Sequence, residues 1–129
     1  MGRLEFSQLK CISMREELID YLQCLSDKDC QQRAWVEHTL SEGGYDELDY
    51  AVHFLFDDTA LATDPVSTIG WILLNEVEAG LIEKVTTSLN VIFEKYGLEM
   101  DDKDYIATKE WGSVLISAEA AKQYMCSES

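Results

Sequence analysis

His53 and Asp57 stand four residues apart and Asp58 follows directly, so on a helix an imidazole and a carboxylate would share one face. Such a set could ligate a divalent cation, but a metal site needs at least three protein ligands and partners that orient them. The commoner outcome for a histidine inside an apolar run such as AVHFLF is a hydrogen-bonded, partly buried imidazole. Asp46 with Asp49, and Asp57 with Asp58, are carboxylate pairs of the kind that serve as general acid and base. Acids are so dense here that pairs of this kind arise without selection for chemistry. A nucleophilic cysteine would need a neighbouring histidine and an electropositive setting. The chain has two histidines and a net charge of −15, which works against a thiolate. No GxSxG elbow, GxxxxGK[ST] phosphate loop, GxGxxG turn or HExxH pair occurs. The residues imply no catalytic group, no cofactor and no metal, and the expectation is a protein that is not an enzyme.

What the acids do imply is a partner. Between Arg33 and Lys84 lie fifty residues without a Lys or Arg, and that window holds eleven carboxylates, so it supplies −11 of the −15. A surface charged only for solubility would intersperse the signs. This segregation repels phosphate backbones and anionic membranes and speeds encounter with cationic proteins. Direct nucleic-acid binding is disfavoured. The expected binding face comprises Glu37, Glu42, Asp46, Glu47, Asp49, Asp57, Asp58 and Asp64, with Tyr45 and Tyr50 as aromatic anchors beside the Gly43-Gly44 break. One of Asp57 and Asp58 is expected instead to cap a helix or tie down the loop before Pro65 through backbone hydrogen bonds. Most of the remaining rings, Trp35, Trp71, Tyr105 and Trp111, read as core.

The elements that must position these residues read as helical. Ser13 and Glu16 form a capping-box pattern ahead of Leu18, Ile19, Leu22 and Leu25. Ser26 with Asp29 repeats the signal before Trp35. The segment from Asp46 to Phe56 reads as helix, with a buried strand over 49–56 as the alternative. Asp64-Pro65 marks a turn. The longest helix is expected over Asn75 to Tyr96, with Leu81, Val85, Leu89, Ile92, Phe93 and Tyr96 as its stripe, Glu76 and Glu78 at its positive end and Gly97 just beyond it. A last helix spans Lys109 to Met125, with Trp111, Val114, Leu115, Ala118, Ala121 and Met125 inward. The sum is an all-α, compact single domain of five or six helices, with a small α+β arrangement as the alternative. Its divisions are an N-terminal extension over 1–13, a globular part over 14–125 and a frayed tail over 126–129.

Cys11, Cys24, Cys30 and Cys126 form no CxxC pair, and the first ten residues, MGRLEFSQLK, lack an apolar leader core. Free thiols in a reducing cytoplasm are expected. The longest apolar run, Ile69 to Leu74, is too short to span a bilayer.

Three stretches also carry a family likeness: Met14 to Val36, Tyr45 to Pro65 and Ile69 to Val85. The second holds an Ala-Val-His-x3-Asp-Asp-Thr-like pattern, set here by Asp49, Ala51, Val52, His53, Phe56, Asp57, Asp58 and Thr59. In these the chain resembles a family of small acidic bacterial proteins of unknown biochemical role, whose members look like immunity proteins of contact-dependent growth inhibition and other polymorphic toxin systems. The resemblance implies a cytoplasmic inhibitor of a basic protein toxin, such as a nuclease domain, whose active or nucleic-acid-binding surface it occludes. The alternatives are an acidic adaptor that docks a basic cellular protein, and a metal-dependent enzyme centred on His53, Asp57 and Asp58.

Overall fold

In the computed structural model, which describes residues 9–36 and 48–128, the chain is all-α, with six α-helices and no strand among the described residues. The α+β alternative is thereby set aside. Helix α1 (Ile12–Leu25) buries Leu18, Leu22 and Leu25, one side of a helix at spacings of four and three. Its start differs from the capping box at Ser13: Cys11 is the cap residue, and its side chain makes no cap bond. The anchor is tertiary. The Lys10 and Cys11 amides donate to the carbonyls of Gly70 and Trp71 at 3.1 and 2.9 Å, and Leu9 is buried. Residues 9–13 are therefore part of the fold, and the expected extension over 1–13 is corrected; residues 1–8 lie outside the described residues.

Asp27, one residue past the expected Ser26, caps the short α2 (Lys28–Gln31), its Oδ1 accepting the Asp29 and Cys30 amides. Cys24 and Cys30 are joined by a disulfide, with their Cα atoms 5.3 Å apart. This corrects the expectation of free thiols there: the tight turn between α1 and α2 places the pair within the span a disulfide bridges. Cys11 and Cys126 are free. Gln31, fully buried, locks the same corner. Its Nε2 donates to the Cys24 and Leu25 carbonyls at 2.8 and 2.9 Å, while its Oε1 accepts the Trp111 indole N–H at 2.9 Å. A π-helical turn (Gln32–Val36) follows, with the Trp35 ring edge-on to Trp111.

The segment left between helix and strand forms α3 (Leu48–His53), continued by a π-helical turn (Phe54–Asp58). Leu48, Ala51 and Leu55 face inward as the helical pattern required. The widened turn also brings Phe54 inward, against Tyr21. Thr59 then ties down the exit, its hydroxyl donating to the Phe54 carbonyl and accepting the Leu61 amide. A 3-10 turn (Pro65–Thr68) leads to a loop that buries Ile72, Leu73 and Leu74.

Helix α4 (Glu76–Tyr96) is the spine. Asn75 caps it by accepting the Glu78 amide, and Gly97, at φ +86°, ends it in a region where a side chain would be strained. Glu78 stands in the first turn, at the positive helix end as expected, and is fully buried, paired with Arg15. After α5 (Asp102–Ile106), α6 (Trp111–Glu128) runs back along α4, which it contacts more extensively than any other element, and also packs on α1. The helix continues through Glu128, where a frayed tail from Cys126 was expected; buried Met125 pins the preceding turn to the core. Trp35, Tyr105 and Trp111 are core as expected, but Trp71 is 48% exposed, with the Lys10 ammonium 4.7 Å above its ring. No helix among the described residues is long and apolar enough to cross a membrane.

Candidate functional site

Helix α3 and its π-helical turn lie against the C-terminal end of α4, and between them opens a groove of about 650 Å³. One wall is α3 with Leu48, Val52, His53, Phe56 and Asp57. The other is the last turns of α4, the 98–100 loop and the start of α5, with Phe93, Glu94, Leu98, Glu99, Met100 and Asp102, and Tyr105 also lines the groove.

Each wall is fixed by a specific contact. Asp102 Oδ2 accepts the Leu48 amide at 3.1 Å, holding the first turn of α3 against α5. The Tyr105 hydroxyl donates to the Gly97 carbonyl at 2.6 Å and accepts the Met100 amide at 3.3 Å, folding the loop over. Phe93 meets Phe56 on one side and Tyr105 on the other, both edge-on, with ring centroids 6.4 and 5.6 Å apart. The floor is apolar. Among the described residues four carboxylates line the groove, Asp57, Glu94, Glu99 and Asp102, and no Lys or Arg does.

Lys95, beside Glu94 in sequence, is engaged elsewhere. Its ammonium donates to Glu110 Oε2 at 2.6 Å, and the Tyr96 hydroxyl donates to Oε1 at 2.8 Å. The hydrogen bond from Lys95, then that from Tyr96, holds the Glu110 carboxyl down at about 2, and the bond to Glu110 raises the pKa values of Lys95 and Tyr96.

The residues singled out for chemistry are partly brought together. His53 Nδ1 and Asp57 Oδ2 are 2.6 Å apart, the hydrogen-bonded pair the spacing required, but His53 is exposed rather than partly buried. Among the described residues no group of three His, Cys, Asp or Glu side chains is arranged to hold a metal ion. Of the expected binding face, Asp57 lines the groove, while Asp58 and Asp64 are exposed outside its lining, Asp64 as cap residue of the 3-10 turn. The loop-tying role expected for Asp57 or Asp58 belongs to Thr59. Asp49 lies on α3, and Tyr50, 42% exposed, stands on the same helix. Glu37, Glu42, Tyr45, Asp46 and Glu47 lie outside the described residues. Sequence reasoning missed Glu94, Glu99, Asp102 and the Phe93–Met100 floor. The signal was the acidic run around Gly97, outside the base-free window.

A family model for a domain of unknown function, DUF7945, matches residues 9–129. The chain belongs to that family. The match begins where Leu9 enters the core, five residues before the Met14 boundary expected from the sequence pattern. Searches of curated proteins and of solved structures find no match.

Proposed function

We propose that this member of the DUF7945 family is a binding protein that captures a cationic protein on the acidic face around α3. In the sharper form suggested by the sequence resemblance, it is a cytoplasmic immunity protein that occludes a basic toxin such as a nuclease domain. The observation that carries the reading is the lining of the α3–α4 groove: carboxylates on both walls, an apolar floor, and no Lys or Arg among the described residues. On a chain at −15, a groove lined by Asp57, Glu94, Glu99 and Asp102, with no Lys or Arg among its described lining residues, presents a negative potential to a cation from outside. Exposed Asp58 and Asp64, on the segment that leaves α3, extend the field beyond the groove.

The test is association with a cationic toxin domain encoded beside this protein's gene, measured by stopped flow at several salt concentrations. Co-expression should rescue growth. Replacing Asp46, Glu47, Asp57 and Asp58 by Asn or Gln should slow association about tenfold or more at low salt and flatten its salt dependence. An unchanged association rate would remove the electrostatic reading. Failure of the wild-type protein to protect poisoned cells would remove the immunity reading.

A further inference from the structure

The α3–α4 groove is more specific than a charged surface, because its floor is apolar and its acids stand on opposite walls. We infer that it seats a cationic amphipathic helix of the protein partner, with apolar side chains on Phe56, Phe93 and Met100 and Lys or Arg side chains reaching Asp57 on one wall and Glu94 and Glu99 on the other. This rests on the reading that the partner is a cationic protein.

Three observations select that occupant. A second copy of this chain carries −15 and is repelled from the same carboxylates. The chain's own segment 37–47 carries four acids and no Lys or Arg, so it has no such cation to offer these carboxylates. A partner strand has no sheet edge to extend among the described residues, which leaves side-chain recognition of a helical stripe. The dimensions agree. The α3 wall, Leu48 to Asp57, is about 13 Å long at helical rise, enough for about two and a half turns of a partner helix. A stripe of apolar residues three and four apart, flanked by cations, presents both properties of the groove at once.

Leu98 lines the groove with 75% of its surface exposed in the free protein. A side chain so exposed contributes little to the free fold and gains burial only when the groove fills. It is the position at which binding and folding separate.

The experiment uses the full chain and two synthetic eighteen-residue peptides of identical Leu and Lys composition. One is ordered to give an amphipathic helix and the other scrambled to abolish the stripe. Titration calorimetry and methyl NMR are the readouts. The amphipathic peptide is expected to bind at least tenfold more tightly than the scramble, with shifts concentrated at Val52, Leu98 and Met100. Leu98→Asn should weaken it about fivefold without changing the thermal melting point. The triple variant Asp57→Asn, Glu94→Gln, Glu99→Gln should weaken both peptides and flatten the salt dependence.

Equal binding of both peptides, with shifts spread over the acidic surface, would overturn the groove while leaving the cationic-partner reading intact. No binding, or shifts confined elsewhere, would also overturn it. Shifts at the same methyls with phenethylammonium but neither peptide would reassign the groove to a small cation. Concentration-dependent shifts without peptide would reassign it to a second copy. The toxin-capture reading fails separately, by the rescue and stopped-flow experiments above.

Discussion

Glu78 is the residue whose replacement distinguishes a structural acid from a binding acid. Its two oxygens meet Arg15 Nη1 and Nη2 at 2.8 Å each, and both side chains are fully buried. Nη1 also donates to the Ile72 carbonyl at 3.0 Å, and Glu78 Oε1 accepts the Leu74 amide at 2.8 Å. The pair thus fastens α1, the 72–74 loop and α4 in one place. Glu78→Gln keeps the shape and an acceptor for Leu74 but leaves the buried guanidinium without this counter-charge. Removing one partner of a dry pair costs about 3–5 kcal/mol. Set against a total stability of roughly 5–15 kcal/mol, that is a large fraction of the fold. For a chain of this length a loss of about 4 kcal/mol lowers the melting temperature by roughly 15 °C. Urea unfolding followed by circular dichroism should show a lower midpoint at unchanged slope. Adding Arg15→Met removes the stranded charge, and the double variant should recover most of the loss. If Glu78→Gln costs less than about 1 kcal/mol, or if the double variant is worse than the single one, the pair is not dry and the reasoning is refuted.

Two further outcomes follow from the same geometry. Reducing Cys24–Cys30, or replacing both residues by Ala, should cost about 2 kcal/mol, the entropy of a closed loop with a sequence separation of six; equal urea midpoints with and without dithiothreitol would contradict this. The depressed Glu110 carboxyl contributes stability that is fully present above the ordinary carboxylate value of 4.5 and is lost as pH falls toward about 2, so Glu110→Gln should flatten acid unfolding between those values. Because Lys95 and Tyr96 are its partners, Lys95→Met should flatten the same window, which an unrelated acid-sensitive site would not.

Helix α4 was readable to its ends because its boundary signals are local: Asn75 caps the first turn and Gly97 supplies the positive φ. The inward stripe of α6 was readable for the same reason, since Trp111, Val114, Ala118, Ala121 and Met125 alternate at three and four. The start of α1 was not. It is decided by Lys10 and Cys11 pairing with Gly70 and Trp71, some sixty residues away, and no local motif encodes such a contact. Glu78 was legible as an acid of the first turn of α4, but its burial was not, because its partner lies 63 residues off. The disulfide was judged from compartment, whereas a turn between two helices decides it. Of the candidate site, Asp57 and its bond to His53 were legible, as an i, i+4 pair. Glu94, Glu99 and Asp102 were not, because they become neighbours of Asp57 only when α3 is laid against the end of α4.

That placement also sharpens what the net charge means. The chain has ten Lys and Arg side chains, and several are committed internally: Arg15 to Glu78, Lys95 to Glu110, Lys122 to Glu119, and Lys10 over the Trp71 ring. None of these four cations lines the α3–α4 groove. Exposed ion pairs contribute little to stability, so redirecting one lysine toward the groove would cost the fold almost nothing. The groove nevertheless holds four carboxylates over a ring-packed floor that α5 and Tyr105 hold in place. A surface evolved only to stay dissolved has no need of a fixed concavity, and a core has no need of acids along its edge. The two together fit a surface whose counter-ions arrive on another molecule, with the acids governing how fast it is met and the aromatic floor how long it is held.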